Sequence, residues 1–528
     1  MGNKVNPISK QENPEEVSQV REFFGNTSLH GVRYFNEKSV FRKCFWFLAL
    51  GAAIGVCGKQ VYETLHAFYG RPFSTTLTRQ RVSVMDFPAV TLCNMNMISK
   101  KQYATAAKKW NFPGSQNQTN EQLREEIQAI LSLFSYREFK AEYLQKLRTK
   151  VLSNPLFEER GPIFKEFLKG LSHGIEGILS LDWLSPCTWQ RKTCSPLSFT
   201  SFVNLKMGQC YTFNSGKKGQ PKLKSVVSGP ANGLRLKLNL EEEDHVSNDY
   251  ALESGFQVLV HDQNEYPMIE GAEGFALQPG THTFAALREK RFKNLPKPYK
   301  TNCASPDQPF NKYFNFSYSI NSCFKQCMHE YIIGKCGCQE LDNITHGVEI
   351  CSVAEAFNCL YPIIFDDFPD NVVKCSNTCP EPCEYKKYEA KLSYAAPVDN
   401  AFSRAFSSSR LITNLTSESF KKFLNRTEKD RQEFIRNNVV SLDVFFESLG
   451  YDVIEQKPVF DDWALIGAVG GILGLFLGTS ILTGLEFLDF LASCLIRALR
   501  RKKVPPKEEE LGEINHSMPM NPDMKQIL

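Results

Sequence analysis

One apolar run near the carboxyl end is interrupted by small and hydroxylated residues: Gly467, Gly470, Gly471, Gly474, Gly478, Thr479, Ser480 and Gly484. Gly470, Gly474 and Gly478 are spaced by four, which places them on one helical face where a neighbouring backbone could approach closely. Glu486 and Asp489 follow, three apart and again on one face. Carboxylates within an apolar span are costly and face protein or a water-filled route, where they favour cations; at the end of a span they sit at the cytosolic interface instead. On spacing alone, helix packing and cation passage both remain open. No nucleophile and base stand paired anywhere in the chain, so no catalytic residue is expected.

The elements that must carry these residues follow from hydropathy, because a helix needs roughly 20 apolar residues to cross a bilayer. One such segment runs uncharged from Cys44 through Gly58 and continues past Lys59 with Val61, Tyr62, Leu65 and Phe68. A second runs from Ala464 to Leu485 and on to Leu499, interrupted by Glu486, Asp489 and Arg497. The polar start, with Lys4, Glu15, Glu16, Arg21 and Glu22, does not read as a secretory signal. Arg42 and Lys43 precede the first span and Arg500, Arg501, Lys502 and Lys503 follow the second, which predicts that both termini are cytosolic. The expected segments are therefore 1–41 (cytosolic), 42–68 (first span), 69–462 (ectodomain), 463–499 (second span) and 500–528 (cytosolic tail). A 528-residue chain that is 42% hydrophobic and 23% charged, with a net charge of +4, is neither disordered nor polytopic, and nucleic acid is not an expected partner.

Cysteine usage agrees with this topology. Three of the 17 cysteines, Cys44, Cys57 and Cys494, lie in or beside the spans, leaving an even fourteen in a compartment where disulfides persist. Zinc binding through Cys336-x-Cys338 is a competing use that an oxidised compartment and an even count disfavour. The nine histidines form no ligand-like pair, so no metal site is expected. Sequons at Asn117, Asn315, Asn343, Asn414 and Asn425 fall in the same region. Alternation at Val82, Val84, Phe87, Ala89 and Thr91 predicts a strand leading out of the membrane, and Thr119 with Gln122 opens a predicted helix through Phe134. Short strands follow, including Arg235 to Leu240 and Phe256 to His261. Cys323 and Cys327 share a helix face, with a second helix expected over Val353 to Cys359, so that two cysteine-bearing helices could be laced side by side. A polar helix from Ser417 to Arg436 and a strand from Val439 to Phe446 lead back to the second span.

The stretch from Gly467 to Thr483 closely resembles the pore helix of the epithelial sodium channel and degenerin family. His30-Gly31 before the first span, Phe87-Pro88-Ala89-Val90-Thr91-Leu92-Cys93-Asn94 after it, and the number and spacing of the fourteen cysteines extend the resemblance over nearly the whole chain. The acid-sensing and peptide-gated branches look most similar. The resemblance implies an α+β ectodomain, a central β-sheet flanked by disulfide-laced helices, on a trimeric bundle with two transmembrane helices per subunit. It implies a sodium-selective, amiloride-sensitive channel of the plasma membrane that needs no cofactor beyond permeant sodium, partnered by two further subunits as a homotrimer or heterotrimer.

Carried over by position, Gly478-Thr479-Ser480 resembles the selectivity filter, where a helix break presents carbonyls to a partly dehydrated ion. Gly467, Ala468, Gly471 and Gly474 fall on the gate and pore; His30, Gly31, Glu486 and Asp489 fall on the inner pore, the first two in a re-entrant loop. The implied disulfides are Cys93–Cys210, Cys187–Cys194, Cys303–Cys383, Cys323–Cys379, Cys327–Cys375, Cys336–Cys359 and Cys338–Cys351. The acidic run Glu241, Glu242, Glu243 and Asp244, beside His245, reads either as a solvated turn or as a ligand- or proton-sensing group, together with Asp366. Two departures weigh against proton gating: Tyr361 and Phe365 stand where acid-sensing relatives carry carboxylates, and Phe73 where they carry a histidine; a third, Ala468 where they carry an outer-pore aspartate, implies a lower local cation concentration and weaker divalent binding there. The expected stimulus is an extracellular ligand, a neuropeptide ahead of a proton, with an acid-sensing or constitutively active channel of the same family as the alternative. A non-conducting receptor or accessory subunit is the alternative of another class.

Overall fold

The computed structural model describes residues 21–109 and, with short interruptions, 158–396 and 418–501. The chain forms two compact units, residues 73–457 and the two flanking segments up to Pro72 and from Pro458. In the flanking unit, α1 (Val40–Tyr69) is the 30-residue first apolar helix, a little longer than the expected 42–68. Only 6% of its most apolar stretch is buried, unlike the core helix of a soluble protein, and it is long enough to span a bilayer.

The larger unit opens with β1 (Phe73–Arg81) and β2 (Ala89–Asn94), then α2 (Lys100–Lys109) and α3 (Pro162–Leu171). Short strands follow: β3 (Cys187–Trp189), β4 (Phe199–Asn204), β5 (Gly208–Phe213), β6 (Leu234–Asn239), β7 (Phe256–His261), β8 (Phe275–Leu277) and the long β9 (Thr281–Lys293). A five-stranded antiparallel sheet has the order β8-β7-β2-β5-β4. The helices α4 (Ile320–Cys336) and α5 (Phe368–Thr378) form the cysteine-rich region, after which come β10 (Glu384–Ala395), α6 (Glu418–Leu424), α7 (Glu428–Asn438) and β11 (Val439–Pro458).

A seven-stranded sheet runs β10-β9-β11-β6-β3, continues into a two-residue strand at Lys192–Thr193, and has β1 beside β11. The β9–β11 pairing is parallel, whereas β10 on β9 and β6 on β11 are antiparallel. One core joins the two sheets. Leu92, Phe213 and Phe256 from the smaller sheet meet Leu234, Leu236, Leu238, Leu287, Val440, Leu442 and Val444 from the larger, all fully buried or nearly so. Strand β6 shows the expected period of two, with buried leucines alternating with half-buried Arg235 and Lys237. Strand β2 is buried at every position, so both its faces are covered.

Three sequence expectations need correction here. The strand entering the unit is β1, earlier than the alternation at Val82 suggested; it is exposed at nearly every position and is held by bonds along β11, such as Thr76 Oγ1 to the Glu455 carbonyl at 3.1 Å. The helix laced to α4 is α5, through Cys327–Cys375 and Cys323–Cys379, while Val353 to Cys359 forms one helical turn and a wider turn tethered by Cys336–Cys359. The polar helix from Ser417 to Arg436 is two helices, because Thr427 caps α7 by accepting the Asp430 N–H at 3.2 Å. The remaining bridges are Cys93–Cys210, Cys187–Cys194, Cys303–Cys383 and Cys338–Cys351, so the seven pairs coincide with those the resemblance implies and leave Cys336 and Cys338 no thiolate for zinc. The helix predicted from Thr119 lies outside the described residues.

Candidate functional site

The second apolar segment is not one straight helix. Helix α8 (Asp462–Leu477) begins at an Asp461 cap, whose Oδ1 accepts the Ala464 N–H at 2.6 Å, and ends at Gly478 in the left-handed region with φ +66. The Gly478 N–H donates to the Gly474 carbonyl at 3.0 Å and the Thr479 N–H to the Leu473 carbonyl at 3.4 Å, a left-handed cap that glycine adopts without steric cost. Helix α9 (Ile481–Arg501) restarts under a Ser480 cap: Ser480 Oγ accepts the Thr483 N–H at 3.3 Å, and Thr483 Oγ1 accepts the Ser480 N–H at 3.1 Å. The two helices are bent by 71° across this break, and together they are long and apolar enough to make one further span.

Gly478 is therefore off the helical face that spacing assigned to Gly470, Gly474 and Gly478, because the helix ends at it. Its neighbour is His30: a Cβ at position 478 would lie 2.5 Å from His30 Nδ1. The His30 N–H donates to the Leu477 carbonyl at 3.0 Å, one of the carbonyls a helix end leaves without an internal partner. Gly31, at φ +85, starts the short helix Val32–Asn36, and a Cβ there would lie 3.3 Å from the Trp46 ring of α1. Tyr34 of that helix stacks on Trp46 with ring centroids 4.3 Å apart. Gly467, Gly470 and Gly471 have open space where a Cβ would stand, and Gly474 has the Thr479 carbonyl at 3.7 Å.

Glu486 is held by the amino-terminal segment. Its Oε2 accepts from Ser28 N at 3.0 Å, Thr27 Oγ1 at 3.2 Å and Ser28 Oγ at 3.3 Å, while Ser28 Oγ lies 2.6 Å from Thr483 Oγ1. Phe23 stacks on Phe490 at 4.4 Å and meets Phe487 edge-on at 5.0 Å. Residues 23–31 thus lie along the break and the first turns of α9. Thr27 and Ser28 were not picked out by sequence reasoning; their only signal is a pair of hydroxyls just before His30. Asp489 is exposed.

The amiloride-sensitive sodium channel family matches residues 23–490 of this sequence. The chain belongs to that family. Acid-sensing ion channel 1A of Danio rerio is 28% identical over 503 residues, covering 92% of this chain and 90% of the relative. Acid-sensing ion channel 2 of Mus musculus is 27% identical over 522 residues, 97% of this chain and 93% of its own length. Acid-sensing ion channel 1 of Gallus gallus is 25% identical over 505 residues, 92% and 85% respectively. The protein is thus a sodium channel-family subunit with transmembrane helices and a disulfide-rich domain of sheets and helices.

In that domain the acidic run is not a freely solvated turn. Glu241 is in the left-handed region and its Oε2 lies 2.9 Å from His173 Nδ1. Asp244 accepts the Lys101 N–H at 2.8 Å and the Ser99 hydroxyl. Glu243 pairs with Arg426 at 3.0 Å, and the Glu242 N–H donates to Asn438 Oδ1 at 2.7 Å. Burial, with the neighbouring His173, pushes His245 down to about 4. His173 comes from 68 residues away, which is why no ligand-like histidine spacing was visible in the sequence. Asn425 is exposed, whereas Asn117, Asn315, Asn343, Asn414, Tyr361, Phe365 and Asp366 lie outside the described residues.

Proposed function

We propose that this chain is one of three subunits of a sodium-selective, amiloride-blocked channel of the plasma membrane. Each subunit contributes α1 and the bent α8–α9 pair as spans, with residues 69–462 outside the cell and both termini in the cytosol. The carrying observation is the helix break at Gly478–Ser480. Non-helical backbone at membrane depth is tolerated only where it is buried in protein or lines a water-filled cavity, since lipid offers it no hydrogen bonds. In this reading Gly478, Thr479 and Ser480 form the selectivity filter, Gly467, Ala468, Gly471 and Gly474 the gate and outer pore, and His30, Gly31, Glu486 and Asp489 the inner mouth. The Glu486 carboxylate, bonded to Thr27 and Ser28, holds the amino-terminal segment against the break and keeps a negative charge beside it. The test is voltage-clamp recording of Ser480→Ala against the unaltered channel. A shifted sodium-to-potassium reversal potential is expected, and unchanged selectivity in a conducting variant would remove the filter from these residues.

The stimulus in this reading is an extracellular ligand, with an amidated neuropeptide ahead of a proton. It is supported by Phe73, where the resembling acid-sensing branch carries a titratable side chain. Acid gating is the second reading, favoured by relatives whose names describe acid-sensing channels. Recording with a peptide panel and with acid steps separates them, a large acid current without any peptide response reversing the order.

A further inference from the structure

The smaller sheet carries a cavity where β5 and β7 end, lined by Thr212, Ser215, Lys217, His261, Glu265 and Phe316. It encloses about 20 Å³, enough for one small polar group and too little for a whole drug-sized molecule. One wall is fixed by a chain of hydrogen bonds. His261 is buried and its Nδ1 lies 2.9 Å from the Asp262 carbonyl, which only accepts, so Nδ1 carries the ring hydrogen. Its Nε2 then accepts from Thr91 Oγ1 at 2.8 Å, and Thr91 Oγ1 accepts from Thr212 Oγ1 at 2.8 Å. Burial pushes His261 down to about 4, so this wall is neutral near pH 7 and its hydroxyl hydrogens are committed.

The other polar groups are not used up in this way. Lys217 is exposed and its Nζ stands 4.7 Å from the centre of the Phe316 ring, and among the described residues no carboxylate pairs with it. Ser215 Oγ accepts the Lys217 N–H at 3.4 Å, which leaves its own hydrogen to donate. Glu265 is pushed up to about 7 by burial, with Glu273 and Asp262 beside it, so near neutral pH about half of it is a carboxylic acid with an O–H to give. The charged groups around it are accounted for elsewhere: Asp262, at the end of β7, meets Lys386 of β10 at 3.6 Å, and Glu273, before β8, pairs with Lys387 of β10. An ammonium, a hydroxyl hydrogen and a carboxylic O–H thus line one small cavity with no acceptor placed to receive them, which is the donor set of a carboxylate site.

We propose that this cavity binds the head of a small monocarboxylate, held by Lys217, Ser215 and Glu265, with its short apolar tail against Phe202 and Phe316. Two ionised carboxylates repel, so the ligand shares the cavity only with protonated Glu265. Binding is therefore coupled to a proton, complete in mild acid and lost as pH rises through about 7. The site lies in the larger unit and is independent of the pore reading.

Saturation-transfer NMR of sodium acetate with full-length protein in detergent reads the dissociation constant, with sodium chloride at equal concentration as the competitor. Acetate should bind roughly tenfold more tightly at about pH 6 than at about pH 8, as Glu265 passes from mostly protonated to mostly ionised. Glu265→Gln should keep the tighter value at both, whereas Lys217→Gln should bind roughly tenfold or more weakly at both. A folding defect would weaken both variants and cannot reproduce these opposite outcomes. No transfer to acetate in the unaltered protein, undiminished affinity in Lys217→Gln, a pH dependence kept by Glu265→Gln, or full displacement by equal chloride overturns the proposal, the last marking a halide site instead.

Discussion

Position 478 is where backbone and neighbour make the same demand. A non-glycine residue at φ +66 loses about 1–2 kcal/mol, and its Cβ would also collide with the His30 ring. Gly478→Ala should lower the melting temperature and suppress surface current, whereas Gly474→Ala, whose Cβ meets the Thr479 carbonyl at an ordinary 3.7 Å, should conduct. Equal behaviour of the two in melting and recording would contradict this account of the break. Glu265 gives a second residue-scale outcome. Its burial, with Glu273 and Asp262 beside it, pushes its carboxyl up to about 7. The folded state then prefers the protonated form more than the unfolded chain does, so its contribution is complete below the ordinary carboxylate range and is lost as pH rises through about 7. Glu265→Gln should melt higher than the unaltered protein at mildly alkaline pH and show little difference in acid. A flat comparison across that range would discount the burial. Glu486, Gly478, Thr479 and Ser480 stood out by residue type in an apolar run, and His30 through the family resemblance, but Thr27 and Ser28 did not, because contacts across more than 400 residues leave no spacing to read.

Among the elements, α4 and α5 depend most on covalent links. Their shared core is small, comprising Met328, Ile332, Cys375 and a few residues of the neighbouring turn. Removing one bridge with Cys327→Ser and Cys375→Ser should cost about 2–5 kcal/mol, seen as a lower melting temperature and reduced surface expression. Retention of both would mean that the apolar contacts suffice. Elements with one clear face were legible in the sequence: α1 by its apolar length, β6 by leucines every second residue, α4 by two cysteines one turn apart. Those that failed lack such a face. Strand β1 is polar and exposed along almost its whole length and owes its conformation to hydrogen bonding along β11, which no local pattern encodes. Cysteine spacing limits the possible pairings without choosing among them; the family resemblance named Cys375 and Cys379 as the partners, and what was missed is that Cys375 lies on a helix, α5. The split of α6 from α7 turned on one capping threonine within a uniformly polar stretch.

At the level of the whole molecule, the larger sheet is completed by a strand that comes very late in the chain. β11 lies between β9 and β6 and is the parallel partner of β9, although more than 140 residues separate Lys293 from Val439. All fourteen bridged cysteines lie before it, since the last is Cys383. In ribosome-stalled chains ending near residue 438, the cysteines should resist alkylation while the domain remains open to protease; chains that expose β11 as well should become resistant. Early resistance without β11 would show that the sheet closes by another route. During synthesis the oxidised domain therefore waits with two unmatched edges, β9 and β6, and is prone to wrong pairing until its last strand arrives. Because the broken span begins only a few residues beyond that strand, closing the sheet and threading the span into the bilayer fall close together in time. A delay at the translocon should consequently surface as a misfolded disulfide-rich domain, even where no residue of that domain has been changed.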